Sequence, residues 1–166
     1  MLQADCSKCA ALCCIALAFD KSDLFGVDKP AGIPCQHLHL DDKCGIHDGL
    51  VDRGFSGCVS YDCLGAGQRV TQQVFGGKSW RDNPDLARPM FEAFRIMRKV
   101  QELLQLLETA DMLPLTGDQQ DARVDLVVEL SPADGWDMDA LKRFERMDIN
   151  GDVQEFLQGL QEHALR

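Results

Sequence analysis

Apolar positions recur along the second half of the chain at the spacing of a helix. Leu86, Met90, Ala93, Met97, Val100, Leu104 and Leu107 follow one another in alternating steps of four and three, and Phe91, Phe94, Leu103 and Leu106 widen the stripe. Asn83 is a capping residue and Pro84 suits a first helical position, so the pattern predicts a long core helix that opens there and ends at Leu113-Pro114 and Gly117. Its surplus of apolar side chains predicts contact with the first half of the chain, or with a second copy through residues 84–113.

Further along, two periods compete. Val124, Leu126, Val128 and Leu130 alternate as in a strand, while Ala122, Val127 and Leu130 share a helical face; helix is the reading adopted for 118–131. After Ser131-Pro132 and Gly135, Asp137 to Met147 reads as a short helix with Met138, Leu141, Phe144 and Met147 inward. Asp152 with Glu155 reads as the capping box of a last helix, on which Phe156, Leu157, Leu160 and Ala164 recur at helical spacing. His163 in that helix reads as solvated.

The first half is patterned differently. The stretch from Asp5 to Phe19 is rich in Ala and Leu and free of Gly and Pro, which predicts a helix. Beyond it, short apolar pieces are broken by Gly, Pro and Asp, as in loops.

Composition narrows the class. The 166 residues are 45% hydrophobic and 27% charged, the balance of a folded soluble chain. The longest apolar run, Ala10 to Phe19, is about half of the ~20 residues a membrane helix needs. Met1 to Cys14 has no basic opening and carries Asp5 and four cysteines, which does not fit a secretory leader. The expectation is therefore a cytoplasmic protein with no membrane segment. A formal charge of −10 repels phosphate backbones, so no nucleic acid is expected. Residues 1–80 hold 7 basic against 9 acidic side chains and residues 81–166 hold 10 against 18, which suggests two parts.

Cysteine divides the chain in the same place. Cys6, Cys9, Cys13, Cys14, Cys35, Cys44, Cys58 and Cys63 all lie within the first 63 residues. Eight cysteines in a secreted chain would suggest disulfides, but with no export signal and reducing surroundings metal ligation is the better reading. On the expected helix, at about 100° per residue, Cys6, Cys9 and Cys13 fall on one stripe and Cys14 is turned away. Cys14 is accordingly assigned to a second metal, or to a neighbouring metal of a binuclear cluster. Cys35, Cys44 and Cys58 follow turn residues and are expected in loops able to fold around an ion. Eight thiolates suit two four-coordinate zinc sites, with Lys8, Lys43 and Arg53 as candidate neutralising cations. His47, three residues after Cys44, is the best histidine candidate to replace a thiolate. His37 and His39 read as a pair on one face of an extended segment from Gln36 to Leu40.

These residues carry a resemblance. The string CSKCAALCC, then Pro34-Cys35 with Leu38, Lys43-Cys44-Gly45-Ile46-His47, Gly57-Cys58 and Tyr61-Asp62-Cys63, resembles the CxxCxxxCC cysteine-cluster family, described as zinc- or iron-chelating. The likeness covers roughly Cys6 to Gln68 and is strongest to the cysteine-rich segment ahead of pentapeptide repeats in some bacterial proteins, down to Gly65-Ala66-Gly67-Gln68. No pentapeptide repeats occur here, and His47 and Arg53-Gly54 stand where the family often has Tyr and Arg-Pro. The resemblance implies a chelated metal, zinc or iron.

Other motifs fail on inspection. Gly77-Lys78-Ser79 ends like a phosphate loop, but Gln72 stands where the first glycine belongs. Gly65-Ala66-Gly67 lacks the third glycine of a dinucleotide fingerprint and reads as a turn letting backbone approach the cysteines. The run from Asp148 to Asp152 opens like a calcium loop, yet Val153 and Gly159 occupy its required Gly and Glu positions.

The sequence thus predicts a mainly α protein: a loop-rich, metal-stabilised cysteine module, residues 1–80, packed on a small helical bundle formed by the acidic region 81–166. Its expected function is to bind two zinc ions through the eight thiolates, in a structural or protein-interaction role with another protein as partner. The alternative is an iron-binding or iron–sulfur redox protein or enzyme. The run C-x2-C-x2-C-x3-C-P typical of ferredoxins is absent, and no paired catalytic carboxylates appear, so binding is favoured over catalysis.

Overall fold

The computed structural model describes residues 2–164, with side chains described as far as Leu160. The fold is mainly helical: α1 (Leu12–Ala16), α2 (Ser56–Ser60), α3 (Ala66–Arg69), α4 (Ala87–Ala110), α5 (Gly117–Glu129), α6 (Met138–Arg146) and α7 (Ile149–Ala164). Among the described residues extended pairing is confined to two isolated bridges, Phe19 with Lys29 and Leu38 with Cys44. No helix among them is long and apolar enough to cross a membrane.

Helix α4 organises the rest. The Asn83 carboxamide accepts the Asp85 N–H and Pro84 begins a 3-10 turn that leads into the helix. Met90, Ala93, Phe94, Met97, Val100, Leu103, Leu104 and Leu107 are buried along it, the expected stripe, while Leu106 remains partly exposed. Fully burying each larger side chain contributes about 1.5–3 kcal/mol. The surplus apolar surface is covered by the cysteine-bearing half: Ala10, Leu12, Ala66 and Val70 belong to the same core cluster. The α-helix closes at Ala110, where the Asp111 and Met112 N–H groups turn back to Leu107 and Thr109.

Residues 117–129 are helical, as read. Thr116 accepts the Gln119 N–H, Gln119 reaches back to the Thr116 N–H, and this capping box resolves the competing periods in favour of helix. Val124 and Val128, half of the strand-like alternation, face solvent. Asp137 caps α6 by accepting the Ala140 N–H at 2.6 Å. Leu141 and Phe144 are buried, but Met147 is exposed, contrary to expectation: the helix stops at Arg146 and extended backbone at Met147 turns the side chain outward.

The last helix also starts earlier than expected. Asp148, not Asp152, accepts an N–H at its start, from Gly151 at 3.1 Å, and Asp152 lies within the first turn. Gly151 permits this, because a Cβ there would meet the Asp148 carboxylate at 2.5 Å. The expected inward Ala164 and solvated His163 have side chains outside those described.

The helix expected from Asp5 to Phe19 is not formed. Cys6–Lys8 is a 3-10 turn capped by Asp5, Cys9 is extended, Ala11 is left-handed at φ +52°, and α1 begins only at Leu12. Distant side chains outbid the local helical bonds. The Thr71 hydroxyl accepts the Ala10 N–H at 3.0 Å and the Trp80 indole donates to the Ala10 carbonyl at 2.8 Å, so both polar groups of that residue are paired outside a helix. Propensity is a weak prior against such tertiary bonds.

Candidate metal centre

The start of the chain is held by one polar face. Gln68, Thr71 and Gln72 recur at i, i+3 and i+4 across α3 and the π turn Val70–Val74 that continues it. Gln68 bonds the Asp5 N–H and donates to the Gln3 carbonyl; Gln72 donates to the Lys8 carbonyl at 2.9 Å. The Thr71 hydroxyl donates in turn to the Gly67 carbonyl, so it is paired in both directions while buried. Residues 3–10 therefore lie stretched along this surface, with Cys6 and Cys9 over α3.

One consequence is a small cavity of about 20 Å³ lined by Cys6, Cys9, Cys13, Cys63, Gly67 and Phe94, among others. Space of that size holds a single water-sized particle. Cys6, Cys9 and Cys13 do share a common space, as the stripe required, but through a folded-back segment rather than one helix. Gly67 makes the closest approach: a Cβ there would come within 2.5 Å of the Cys9 sulfur. The expected close approach of Gly65–Gly67 backbone is thus present, with Gly65 in the turn ahead of α3 and Gly67 inside the helix.

A second set of cysteines adjoins the first. The Cys35 N–H donates to the Cys14 carbonyl at 2.9 Å, and the Leu38 N–H donates to the Cys35 carbonyl before Leu38 bridges to Cys44. His37 packs edge-on against Phe55 at 5.0 Å, and the Cys58 N–H donates to the Phe55 carbonyl. Cys58 is in α2 rather than in the expected loop. Arg81 anchors this region by pairing with Asp42 and donating to the His39 carbonyl at 2.8 Å, while stacking on Trp80. The two sets meet at Cys13 and Cys14, whose sulfurs are 3.9 Å apart.

The electrostatics follow the same grouping except at Cys14, which also acts on Cys6 and Cys13. All eight cysteines are free thiols. Burial pushes Cys9 and Cys58 up to about 11, with neighbouring thiols adding to it: Cys63 and Cys6 for Cys9, and Cys14, Cys35 and Cys44 for Cys58. The thiols of Cys6 and Cys44 are also raised, chiefly by burial. The contact between the Cys13 and Cys14 sulfurs raises Cys13 and lowers Cys14 to about 7. Backbone N–H groups of Leu12 and Ala11 point to the Cys9 sulfur and that of Ile46 to the Cys44 sulfur. Such donors favour a thiolate over a thiol.

A cation lies close to the second set, and it is not one of those expected from the sequence. Lys8 pairs with Asp5 and Lys43 with Asp41, both on the surface; Arg53 packs by Gly49. Lys29, which sequence reasoning missed, is only 5% exposed. Its ammonium donates to the carbonyls of Ile15, Leu17 and Pro30. Burial lowers its pKa, and the nearby Cys35, Cys14 and Cys13 oppose that shift. On the other side, Arg98 of α4 lies over the Tyr61 ring at 5.5 Å, and the Tyr61 hydroxyl is buried without a hydrogen-bond partner. Burial raises that hydroxyl's pKa, Arg98 opposes the rise, and Cys13 and Cys63 add to it.

The histidines lie apart from this arrangement. The His47 side chain is 74% exposed beside Asp48, and the imidazole of His39 covers Gly45, whose missing Cβ leaves room for it. His37 packs on Phe55, and the backbone from His37 to His39 is extended around the Leu38 bridge. As the side chains stand, no three His, Cys, Asp or Glu among the described residues converge tightly enough to coordinate an ion.

Over 109 residues, 66% of its length, the chain is 46% identical to the Uncharacterized protein YybG of Bacillus subtilis (strain 168). The match spans 39% of that relative, so the chain covers well under half of its length. No family model matches the chain, and no solved structure does.

Proposed function

We propose that this chain is a metal-binding protein that holds two zinc ions through the thiolates of Cys6, Cys9, Cys13, Cys14, Cys35, Cys44, Cys58 and Cys63, in a structural or protein-interaction role. The observation that carries the reading is that all eight cysteines, from four separated stretches of chain, lie in two adjoining sets, with N–H groups aimed at the Cys9 and Cys44 sulfurs. All eight are free of disulfides in this arrangement, as thiolate ligation requires. Free thiols suit a reducing, cytoplasmic setting.

Zinc suits an all-thiolate shell, needs no redox partner and contributes folding energy where regular structure is scarce. Bound there, it crosslinks loops and offsets thiolate charge. Two Zn²⁺ ions leave eight thiolates with excess negative charge, which Lys29 lies close enough to offset in part. The interaction role draws on exposed apolar side chains around the cysteine loops, among them Ile33, Val51, Val59 and Leu40, the last 90% exposed.

Elemental analysis and an absorption spectrum of the protein purified without oxygen test the reading. Two zinc ions per chain and a colourless solution are expected. A brown protein with iron, sulfide and absorption near 400 nm would establish the iron–sulfur alternative. Protein free of any metal would overturn metal binding itself.

A further inference from the structure

Resting on that metal-binding reading, we infer that the eight cysteines form two separate tetrathiolate sites, an inner one of Cys6, Cys9, Cys13 and Cys63 and an outer one of Cys14, Cys35, Cys44 and Cys58.

The inner set is defined by shared space. Its four sulfur-bearing side chains line one small cavity floored by Gly67 and Phe94, and none of the other four cysteines lines it. The outer set is defined by the chain path. Cys35 is bonded to the Cys14 carbonyl, the Leu38–Cys44 bridge brings Cys44 back beside Cys35, and the His37–Phe55 contact draws the α2 segment with Cys58 onto the same loop.

Cys13 and Cys14 stand at the boundary between the sets. Sulfurs sharing one tetrahedral zinc are about 3.8 Å apart for Zn–S bonds of ~2.3 Å, close to the 3.9 Å found between these two. Yet the inner cavity already has four sulfurs with Cys13, and the outer loops supply three that need a fourth. Four ligands per ion in both places is reached only if Cys14 turns to the outer site. Closure of each shell then asks for rotamer changes at thiols, three of which in each set are partly buried, while the backbone stays in place.

The sites differ in surroundings. Cys9, Cys13 and Cys63 pack on the main core, so the inner ion ties the first nine residues and Cys63 to α4. The outer ion ties loops to one another and is flanked by Lys29.

Paired substitutions to Ser, read by metal content of the anaerobically purified protein, test the division. The wild type carries two ions. C6S/C63S and C44S/C58S, each confined to one set, retain one ion; C58S/C63S, which crosses the sets, retains none. Loss of both ions from C6S/C63S or C44S/C58S would overturn separate sites in favour of one shared cluster, and retention of one ion in C58S/C63S would overturn the assignment. Should a variant fold poorly, the wild type reloaded with Co²⁺ gives the same answer: electron paramagnetic resonance intensity rising in proportion through two equivalents supports separate ions. Intensity falling on the second equivalent means a bridging thiolate, against the division. A wild type that takes up no metal refutes the metal-binding reading instead, before any variant is compared.

Discussion

The Cys9 sulfur occupies the place where Gly67 would carry a Cβ, 2.5 Å from that position. This contact joins the start of the chain to α3 and sets the depth of the inner cavity. Gly67 is helical, so its lack of a side chain serves room and not an unusual backbone angle.

Gly67→Ala is expected to push Cys9 outward and lower stability by about 1–3 kcal/mol, the usual cost of overpacking a filled site. It should also speed release of one of the two ions. Thermal unfolding and chelator competition on the variant check this; a Gly67→Ala protein with unchanged melting and unchanged metal release would contradict it.

Lys29→Gln separates charge from shape. Gln retains donors for part of the carbonyl set at Ile15, Leu17 and Pro30 but removes the ammonium beside Cys14 and Cys35. Faster loss of one ion, with the other held as in the wild type, is the expected result. Equal release of both ions would mean that Lys29 favours neither site.

Removing metal should unfold residues 1–70 more than 81–166. The first part has only short helices and draws order from coordination, whereas α4 to α7 have apolar contacts of their own and α5 and α6 have capped starts. Hydrogen exchange before and after chelation measures this by segment. The same loss of protection in both halves would sink the prediction.

Acid should loosen the contact between α4 and α6. Arg95 bonds both Glu92 and Glu145, tying α4 to α6. The guanidinium holds the Glu92 carboxyl below its ordinary value of 4.5. A depressed folded pKa gives stability that is present above 4.5 and lost as pH falls through the lower folded value. Because the pair is exposed, Glu92→Gln should cost only about 0.2–1 kcal/mol at pH 7. The difference from the wild type should disappear in acid. Denaturant unfolding at both pH values tests it; a cost that persists in acid would assign the effect to packing instead.

Long-period features were legible in the sequence. The four-and-three stripe from Leu86 to Leu107 marked the buried face of α4, and Asn83 and Pro84 marked its start. The cysteine-rich first half was also plain from Cys6 to Cys63. What could not be read was the path between cysteines. Ala and Leu around Cys9 and Cys13 favour helix, but Thr71 and Trp80, some sixty to seventy residues away, capture the polar groups of Ala10 and break it. The spacing of Gln68, Thr71 and Gln72 on one helical face was the available hint. Lys29 had none: its burial follows from the Phe19–Lys29 bridge and three carbonyls gathered by the fold. Asp148 displaced Asp152 as a cap because Gly151 lets a side chain fold back, a local detail that two candidate caps in one stretch leave ambiguous.

Titrating the thiols of the native protein with an organomercurial, while a chromogenic chelator reports freed metal, tests whether the eight cysteines hold metal. Two ions per chain should be released as the eight thiols react, and the reaction should quicken when metal is first removed by chelation. Eight thiols that react freely with no metal released would contradict it.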